Sequence, residues 1–288
     1  MNQFKRLVNL LFVFGVLIAL YLWSSVYQNS QANPISGEAQ ISFLDVGEGD
    51  AALINLPGST QILIDGGRQG RVLAALSEKM PRHDEKIEYV IETHPDADHI
   101  GGLIDVFKSY DIGEVIKTEK QSNSQTFANL EDLIESKKIP SKTAYRGDNL
   151  YFKGATAKVL SPERNEIGSV SSNNSSIVLR FVYQDSCAIF TGDAEIEAQK
   201  KISSEYNNDD LKCGLLKIAH HGSAGAYDEA FTQKVNPKFA VISVGENGYG
   251  HPSSDVITNL KNLNILLFRT DEKGTVNFIS KDDTWQQI

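Results

Sequence analysis

The sequence predicts an α/β fold, and three observations carry that reading. Strand-like and helix-like segments alternate from about Ile41 to the end of the chain. No stretch in that body resembles a domain linker, so its strands are expected to lie buried under helices in one domain. The residues able to do chemistry fall in loops after predicted strands, which is the edge where open α/β layers build ligand sites.

In order along the chain, "AQISFLDV" and "AALINL" read as strands joined by the turn "GEGD", and "TQILIDGG" as a third strand. "RVLAALSEKM" has helical period, "IEYVIETH" is a buried strand, "IGGLIDVFKSY" a helix and "GEVIKT" a short strand. "TFANLEDLIESKKIP" is an amphipathic helix stopped by Pro140. A β-rich middle follows in "NLYFKGATAKVLSP", "SIVLRFVY" and "CAIFTGD". The last third runs helix "EIEAQKKISSEY", strand "LKCGLLKIAHHGS", helix "YDEAFTQKV", strand "KFAVISVG", helix "SDVITNLKNL", and strands "NILLFRT" and "TVNFIS".

The first residues are of a different kind. Lys5 and Arg6 precede an uncharged apolar run, Leu7 to Trp23, whose 17 residues sit at the lower limit for a spanning helix. A polar stretch without pattern follows, in which Ser30-Gln31-Ala32 fits the small-x-small rule for signal cleavage. Positive charge before the apolar run would keep the N-terminus inside and send the remainder across the membrane. The expectation is a membrane anchor over residues 1–27, a linker over 28–38 and a catalytic domain over 39–288, extracytoplasmic whether the segment is retained or cleaved and the domain secreted.

Net charge is −9, which argues against broad non-specific binding of nucleic acid, since that needs a field of Lys and Arg. A polyanionic substrate stays open, because metal ions could supply local positive charge. The two cysteines, Cys187 and Cys213, lie in apolar strand-like runs and read as buried free thiols, with a disulfide between them the lesser alternative.

Of six histidines, five stand beside Gly, Pro or Asp in loops after strands. "THPDADHIGG" packs His94, Asp96, Asp98 and His99 into six residues. Imidazole and carboxylate suit zinc and harder divalent ions. Helix capping would explain Asp96 or Asp98 but not both acids between two histidines. "FTGDAE" ends a strand with Gly192-Asp193, a turn by itself but also the bridging carboxylate a dinuclear site needs. In "IAHHGS", one of His220 and His221 could be a ligand and the other a supporting group or proton donor, with Ser223 beside them. His251 in "GYGHPSS" is either helix-cap surface or site, and Asp65 in "ILIDGG" either a turn acid or the group that orients a ligand histidine. The polar run "SSNNSS" holds Asn173 and Asn174, whose amides could meet an oxyanion or form a plain loop.

Taken together, "FLDVGEGDAALI", "ILIDGG", "THPDADHIGGL", "NNSSIVLRF", "FTGDAE", "LLKIAHHGS", "ISVGENGYGHPS" and "FRTDEKGTV" resemble the metallo-β-lactamase superfamily, most closely the hydrolase domain of ComEC-type competence proteins. The resemblance implies an αββα sandwich with two divalent metals at the strand edge. His94 and Asp96 would bind one metal, Asp98 and His99 the other, Asp193 would bridge, and His220 would complete the set with His221 its near-equal rival. His251 falls where the fold presents a last histidine.

This chain departs from the family in two places. Asp96 stands where the commoner motif has His, and no histidine occurs between His99 and His220. The resulting carboxylate-rich set suits Mn²⁺ at least as well as Zn²⁺. ComEC-type transporters also carry a multi-spanning region that this sequence lacks, so the expectation is a stand-alone exported hydrolase.

The chemistry expected is hydrolysis of a phosphodiester, with DNA a specific candidate, by a hydroxide held between two metals. Asp98 and Asp193 would hold the catalytic ions and orient the nucleophile, and His221 or His251 would protonate the leaving oxygen. Two alternatives differ in substrate or in kind. A cell-surface phosphorylcholine esterase would need an aromatic cage, for which Tyr145, Tyr151, Tyr227 and Tyr249 are candidates, and a lactonase would share the same site. A non-catalytic metal-binding module would use the fold as scaffold only. No motif names a protein partner.

Overall fold

The computed structural model describes residues 11–24, 37–68, 70–81 and 83–288. Helix α1 covers 11–24 of the expected apolar segment and is exposed throughout. The first four residues of that segment, and Ser30-Gln31-Ala32, lie outside the described residues. Among the described residues no helix is long and apolar enough to cross a membrane.

The first half of the body runs β1 (Gln40–Phe43), β2 (Ala52–Leu56), β3 (Thr60–Ile64), α2 (Val72–Lys79), β4 (Lys86–Glu92), α3 (Ala97–Ile100), α4 (Leu103–Ser109), β5 (Asp111–Lys117), α5 (Gln125–Ser136) and β6 (Ser141–Thr143). The second runs β7 (Asn149–Phe152), β8 (Ala155–Ser161), β9 (Val178–Tyr183), β10 (Ser186–Phe190), α6 (Ile196–Glu205), α7 (Asn208–Leu211), β11 (Leu215–Lys217), α8 (Glu229–Val235), β12 (Phe239–Ile242), α9 (Ser254–Asn262), β13 (Leu266–Arg269), α10 (Thr270–Lys273), β14 (Val276–Lys281) and β15 (Thr284–Gln287). Two sheets result, in the orders β15-β14-β1-β2-β3-β4-β5-β6 and β13-β12-β11-β10-β9-β8-β7. Strands consecutive in the chain make most antiparallel pairs, β14 pairs antiparallel with the distant β1, and helical crossovers make β3-β4-β5 and β11-β12-β13 parallel.

Side-chain alternation assigns each strand to two cores at once. On β9, Leu179, Phe181 and Tyr183 enter the core between the sheets, and Val178 enters the core under the second set of helices. On β3, Ile62 and Ile64 face the inter-sheet core, and Leu63 faces α2 to α5. Three apolar layers therefore separate four structural layers, helix–sheet–sheet–helix, in one domain. Helix α5 shows the local logic: Ser124 Oγ caps it by accepting from Phe127 N at 3.2 Å, and Phe127, Leu130 and Ile134 bury one stripe.

Four expectations change. The segment 100–110 is two short helices that meet at Gly101-Gly102, so Asp98 and His99 ride on the first of them. The strand expected over 211–223 shrinks to Leu215–Lys217, because His220 and His221 take left-handed φ of 49° and 52° and carry the chain off the sheet edge. A strand at Thr284–Gln287 was not anticipated; it buries Trp285 in the inter-sheet core. Cys187 and Cys213 are not free thiols but a disulfide with Cα atoms 4.9 Å apart, because β10 and β11 pair in parallel and bring two distant positions side by side.

Candidate metal centre

Strands β3 and β4 are parallel neighbours, so their C-terminal ends deliver Asp65 and Thr93-His94 to one point. Asp65 accepts from Thr93 N at 2.8 Å and from Thr93 Oγ at 2.7 Å, and its second oxygen lies 2.8 Å from His99 Nδ1. An anion on Nδ1 fixes the His99 proton there and leaves Nε2 facing inward. His221 is held the same way, its Nδ1 donating to the Ser243 carbonyl at 2.9 Å. His94 Nδ1 sits 3.1 Å from Thr93 Oγ and 3.3 Å from Ser176 Oγ.

The free edges of these rings converge on one oxygen. Asp193 Oδ2 lies 3.2 Å from His99 Nε2, 3.7 Å from His221 Nε2, 3.9 Å from His220 Nε2 and 4.0 Å from His94 Nε2. Asp98 Oδ2 is 3.6 Å from His221 Nε2, and Asp96 Oδ2 is 3.7 Å from His94 Nε2. Ser172 Oγ donates to the other Asp96 oxygen at 2.6 Å. Four groupings of three residues could each hold an ion: His94–His99–Asp193, Asp98–His99–His221, Asp50–Asp65–His99 and Asp50–Asp193–His221.

A test of fit comes from the buried atoms themselves. His94 Nε2, His99 Nε2 and His221 Nε2, the ring edges that face Asp193 Oδ2, have no hydrogen-bond partner. Orphaned polar atoms are costly in a folded interior, and here they gather around one point. A divalent cation satisfies acceptor atoms of this kind, so the residues fit a metal.

Electrostatics agree. Burial raises Asp193, but His99 and His221 outweigh it and hold the acid well below its ordinary range. Burial lowers His221, yet Asp193, Asp50 and Asp98 push it up to about 10, and His99 is likewise held well above its usual value. For His94, burial and the neighbouring His99 win, and its value falls to about 4. The surrounding acids thus favour positive charge at His99 and His221, the place where a bound cation would supply it.

The cradle is made by close backbone approach. Gly66 N donates to His99 O at 2.7 Å and Gly102 N to Gly67 O at 2.8 Å. A Cβ on Gly102 would stand 2.0 Å from the Gly66 carbonyl oxygen, so only glycine fits. Asp65, His220 and His221 all have positive φ, and strain of about 1–3 kcal/mol each is typical of residues held for function.

Of the other expected residues, His220 lies beside Asn173, with Nδ1 3.4 Å from its amide. His251 Nδ1 is 3.6 Å from Glu48 Oε1, and its ring is 5.5 Å from that of His220. Asn174 turns away from the cluster: its amide donates to Glu195 at 3.1 Å and its oxygen accepts from Glu195 N at 2.9 Å, which braces the loop. Asn173 also donates to Glu195, and Ser223 closes its turn through backbone bonds to His220 and Ala226.

Sequence reasoning passed over Asp50, Glu48, Ser172, Ser176 and Lys217. Asp50 was read as a turn acid and Lys217 as part of an apolar strand; a lysine inside "LLKIA" was the signal available. A cleft of about 910 Å³ opens beside the cluster, lined by Glu48, Arg68, Arg71, Gly245, Asn247 and Tyr249 among others. Of the four tyrosines weighed for a choline cage, only Tyr249 lines it; Tyr145 carries Arg164 on its ring and Tyr227 packs under the second sheet.

This two-sheet architecture with a His/Asp cluster at its strand ends defines a metal-binding α/β fold. The chain belongs to the metallo-beta-lactamase superfamily, whose family model matches residues 44–246. It is 29% identical over 266 residues to ComE operon protein 3 of Bacillus subtilis, covering 86% of this chain and 34% of that protein. It is 26% identical over 246 residues to competence protein ComA of Neisseria gonorrhoeae, covering 84% of this chain and 32% of that one. The chain thus spans about a third of the length of these relatives. Among solved structures it is similar to Igni18, a metallo hydrolase of Ignicoccus hospitalis, with a TM-score of 0.55 at 13% identity over 84% of this chain and 98% of that one.

Proposed function

We propose that the chain is a metal-dependent phosphodiesterase, with a nucleic acid strand as substrate. The observation that carries this reading is the convergence of three partnerless imidazole nitrogens on Asp193, with a cleft lined by Arg68 and Arg71 nearby, Arg68 reaching Asp98 Oδ2 at 3.9 Å. In this reading His94 and Asp96 would hold one ion, Asp98, His99 and His221 would hold a second, and Asp193 would serve both. His220 approaches the same Asp193 oxygen beside Asn173 and completes the first set. Two divalent ions, Zn²⁺ or Mn²⁺, would supply Lewis-acid charge toward phosphate oxygens and make a water nucleophilic at neutral pH.

The chain's own residues do the rest. Asp65 and the Ser243 carbonyl keep His99 and His221 in the tautomers that present Nε2. Burial and the neighbouring His220 and His221 lower His251, which then contacts substrate as a neutral hydrogen-bonding group. The guanidinium groups of Arg68 and Arg71 offer bidentate contacts to flanking phosphates, and exposed Tyr249 offers a face for a base. The competence names of the relatives support DNA as the substrate.

We place the domain outside the cytoplasm, tethered by the N-terminal segment. The Cys187–Cys213 disulfide supports an oxidising compartment. The activity test is hydrolysis of a bis-aryl phosphodiester by the full chain with Mn²⁺ or Zn²⁺, beside Asp98→Ala, with labelled DNA as the next substrate. Turnover should need metal and fall by several powers of ten in the variant, about 3–6 kcal/mol of barrier. A metal-loaded chain that turns over neither diester refutes the reading.

A further inference from the structure

Lys217 ends β11 in the middle of the second sheet and is 3% exposed. Lysine is almost never buried so fully unless its charge is paired. Its ammonium meets three oxygens: it pairs with the Asp50 carboxylate, donates to the Gly192 carbonyl at 2.9 Å, and lies 3.9 Å from Asp193 Oδ1. Asp193 is thereby divided. One oxygen faces Lys217, and the other faces four imidazole nitrogens.

Asp50 is just as buried and sits on the far side of the same rings. Its oxygens are 3.8 Å from His99 Nδ1 and 3.4 Å from His221 Nδ1, the edges turned away from the convergence point. By spacing alone it belongs with Asp193 and His221 in a grouping able to hold an ion. Acids and imidazoles are thus enough for one cation more than the outer residues require, and the ammonium already stands in that place.

We infer that Lys217 is a built-in cation that keeps Asp50 out of the metal-binding set and leaves only Oδ2 of Asp193 to it. The inference rests on the metal-centre reading above. Lys217 is then a positioning residue that sets how many ions the cluster takes. Removing its charge leaves Asp50 and Asp193 Oδ1 uncompensated in a buried place, and a divalent ion is the available replacement.

The test counts metal. The full-length chain and its Asp50→Asn, Lys217→Met and Asp50→Asn/Lys217→Met variants are equilibrated with Mn²⁺ or Co²⁺, and bound ions per chain are measured by elemental analysis. Visible spectra of the cobalt forms are recorded in parallel. Asp50→Asn should hold the wild-type number of ions with an unchanged cobalt spectrum. Lys217→Met should bind one further equivalent, and adding Asp50→Asn should remove it. Loss of an ion in Asp50→Asn, or an unchanged or lower count in folded Lys217→Met, overturns the inference. Should Lys217→Met alone fail to fold, the single Asp50 variant and the charge-neutral double variant decide it, because both must keep the wild-type count. A wild-type chain that binds no divalent ion sinks the metal reading as well, which separates the two failures.

Discussion

Replacing Asp65 by Asn tests how far the supporting carboxylate builds the centre. In the native chain Asp65 makes three short contacts, to Thr93 N at 2.8 Å, Thr93 Oγ at 2.7 Å and His99 Nδ1 at 2.8 Å. Asn is isosteric and can still accept from Thr93 N, but its amino group then faces two other donors. One charge-assisted bond to His99 is lost and the ring's tautomer is no longer held. Loss of such a partner typically weakens metal binding by about 10- to 100-fold, or about 1.4–2.7 kcal/mol. That matches the roughly 1.5–3 kcal/mol of a hydrogen bond to a charged group. With metal in excess of both dissociation constants, the stabilisation that metal confers falls by the same amount. For a domain of this size each kcal/mol moves the melting temperature by about 2–4 °C, so the metal-induced rise in Tm should shrink by about 3–11 °C. Calorimetric titration and melting curves with and without Mn²⁺ measure both quantities. Unaltered affinity and an unaltered Tm increment in Asp65→Asn would show that His99 needs no such partner.

Three further outcomes are expected. Glu92 is fully buried and neither carboxylate oxygen has a partner; burial first, then Glu131 and Asp65, raise it to about 8 against the opposing pull of Lys117. Between pH 4.5 and 8 the folded chain keeps a proton that the unfolded chain has released, so stability falls as pH rises through that window, by up to about 1.4 kcal/mol per pH unit. Denaturant melts of the metal-free chain should show this slope flattened in Glu92→Gln, and parallel curves would count against it. The Cys187→Ala/Cys213→Ala variant removes a link across 26 residues and should lose about 3.5 kcal/mol in the same melts, with no loss meaning that the link constrains nothing. Gly102→Ala pushes a methyl to 2.0 Å from the Gly66 oxygen and should cost about 3 kcal/mol together with metal affinity, whereas Gly168→Ala, with open space around it, should cost little.

Legibility followed distance along the chain. His94, Asp98 and His99 were readable because one loop and one helical turn carry them, so six residues of sequence contain much of the cluster. Asp65 was readable as a supporting acid because it ends a strand with two glycines behind it. Asp50 was not, since an acid in "GEGD" has an ordinary explanation as a turn, and only the bond from Asp50 N to Asp98 O at 3.1 Å ties that turn to the metal loop. The weight given to Asn174 shifted for the same reason. Its partner, Glu195, is 21 residues away, and no spacing rule connects them.

His220 and His221 show the limit most sharply. Adjacent residues on an extended strand would point to opposite faces, and on that basis either could be the ligand. The left-handed turn at both positions leaves His221 buried, with Nδ1 on Ser243, and leaves His220 partly exposed beside Asn173.

By itself the sequence determined the α/β class, the positions of most strands and helices, and the loops where ligands gather, because alternation, helical period and local residue chemistry act over a few neighbours. The tertiary structure alone decided which loops share an edge, which imidazole edge faces inward, that two cysteines meet across β10 and β11, and that a lysine from mid-sheet stands among the acids. Those outcomes depend on strand order and register, which are set by burying three apolar layers at once, and no short window of sequence contains that constraint.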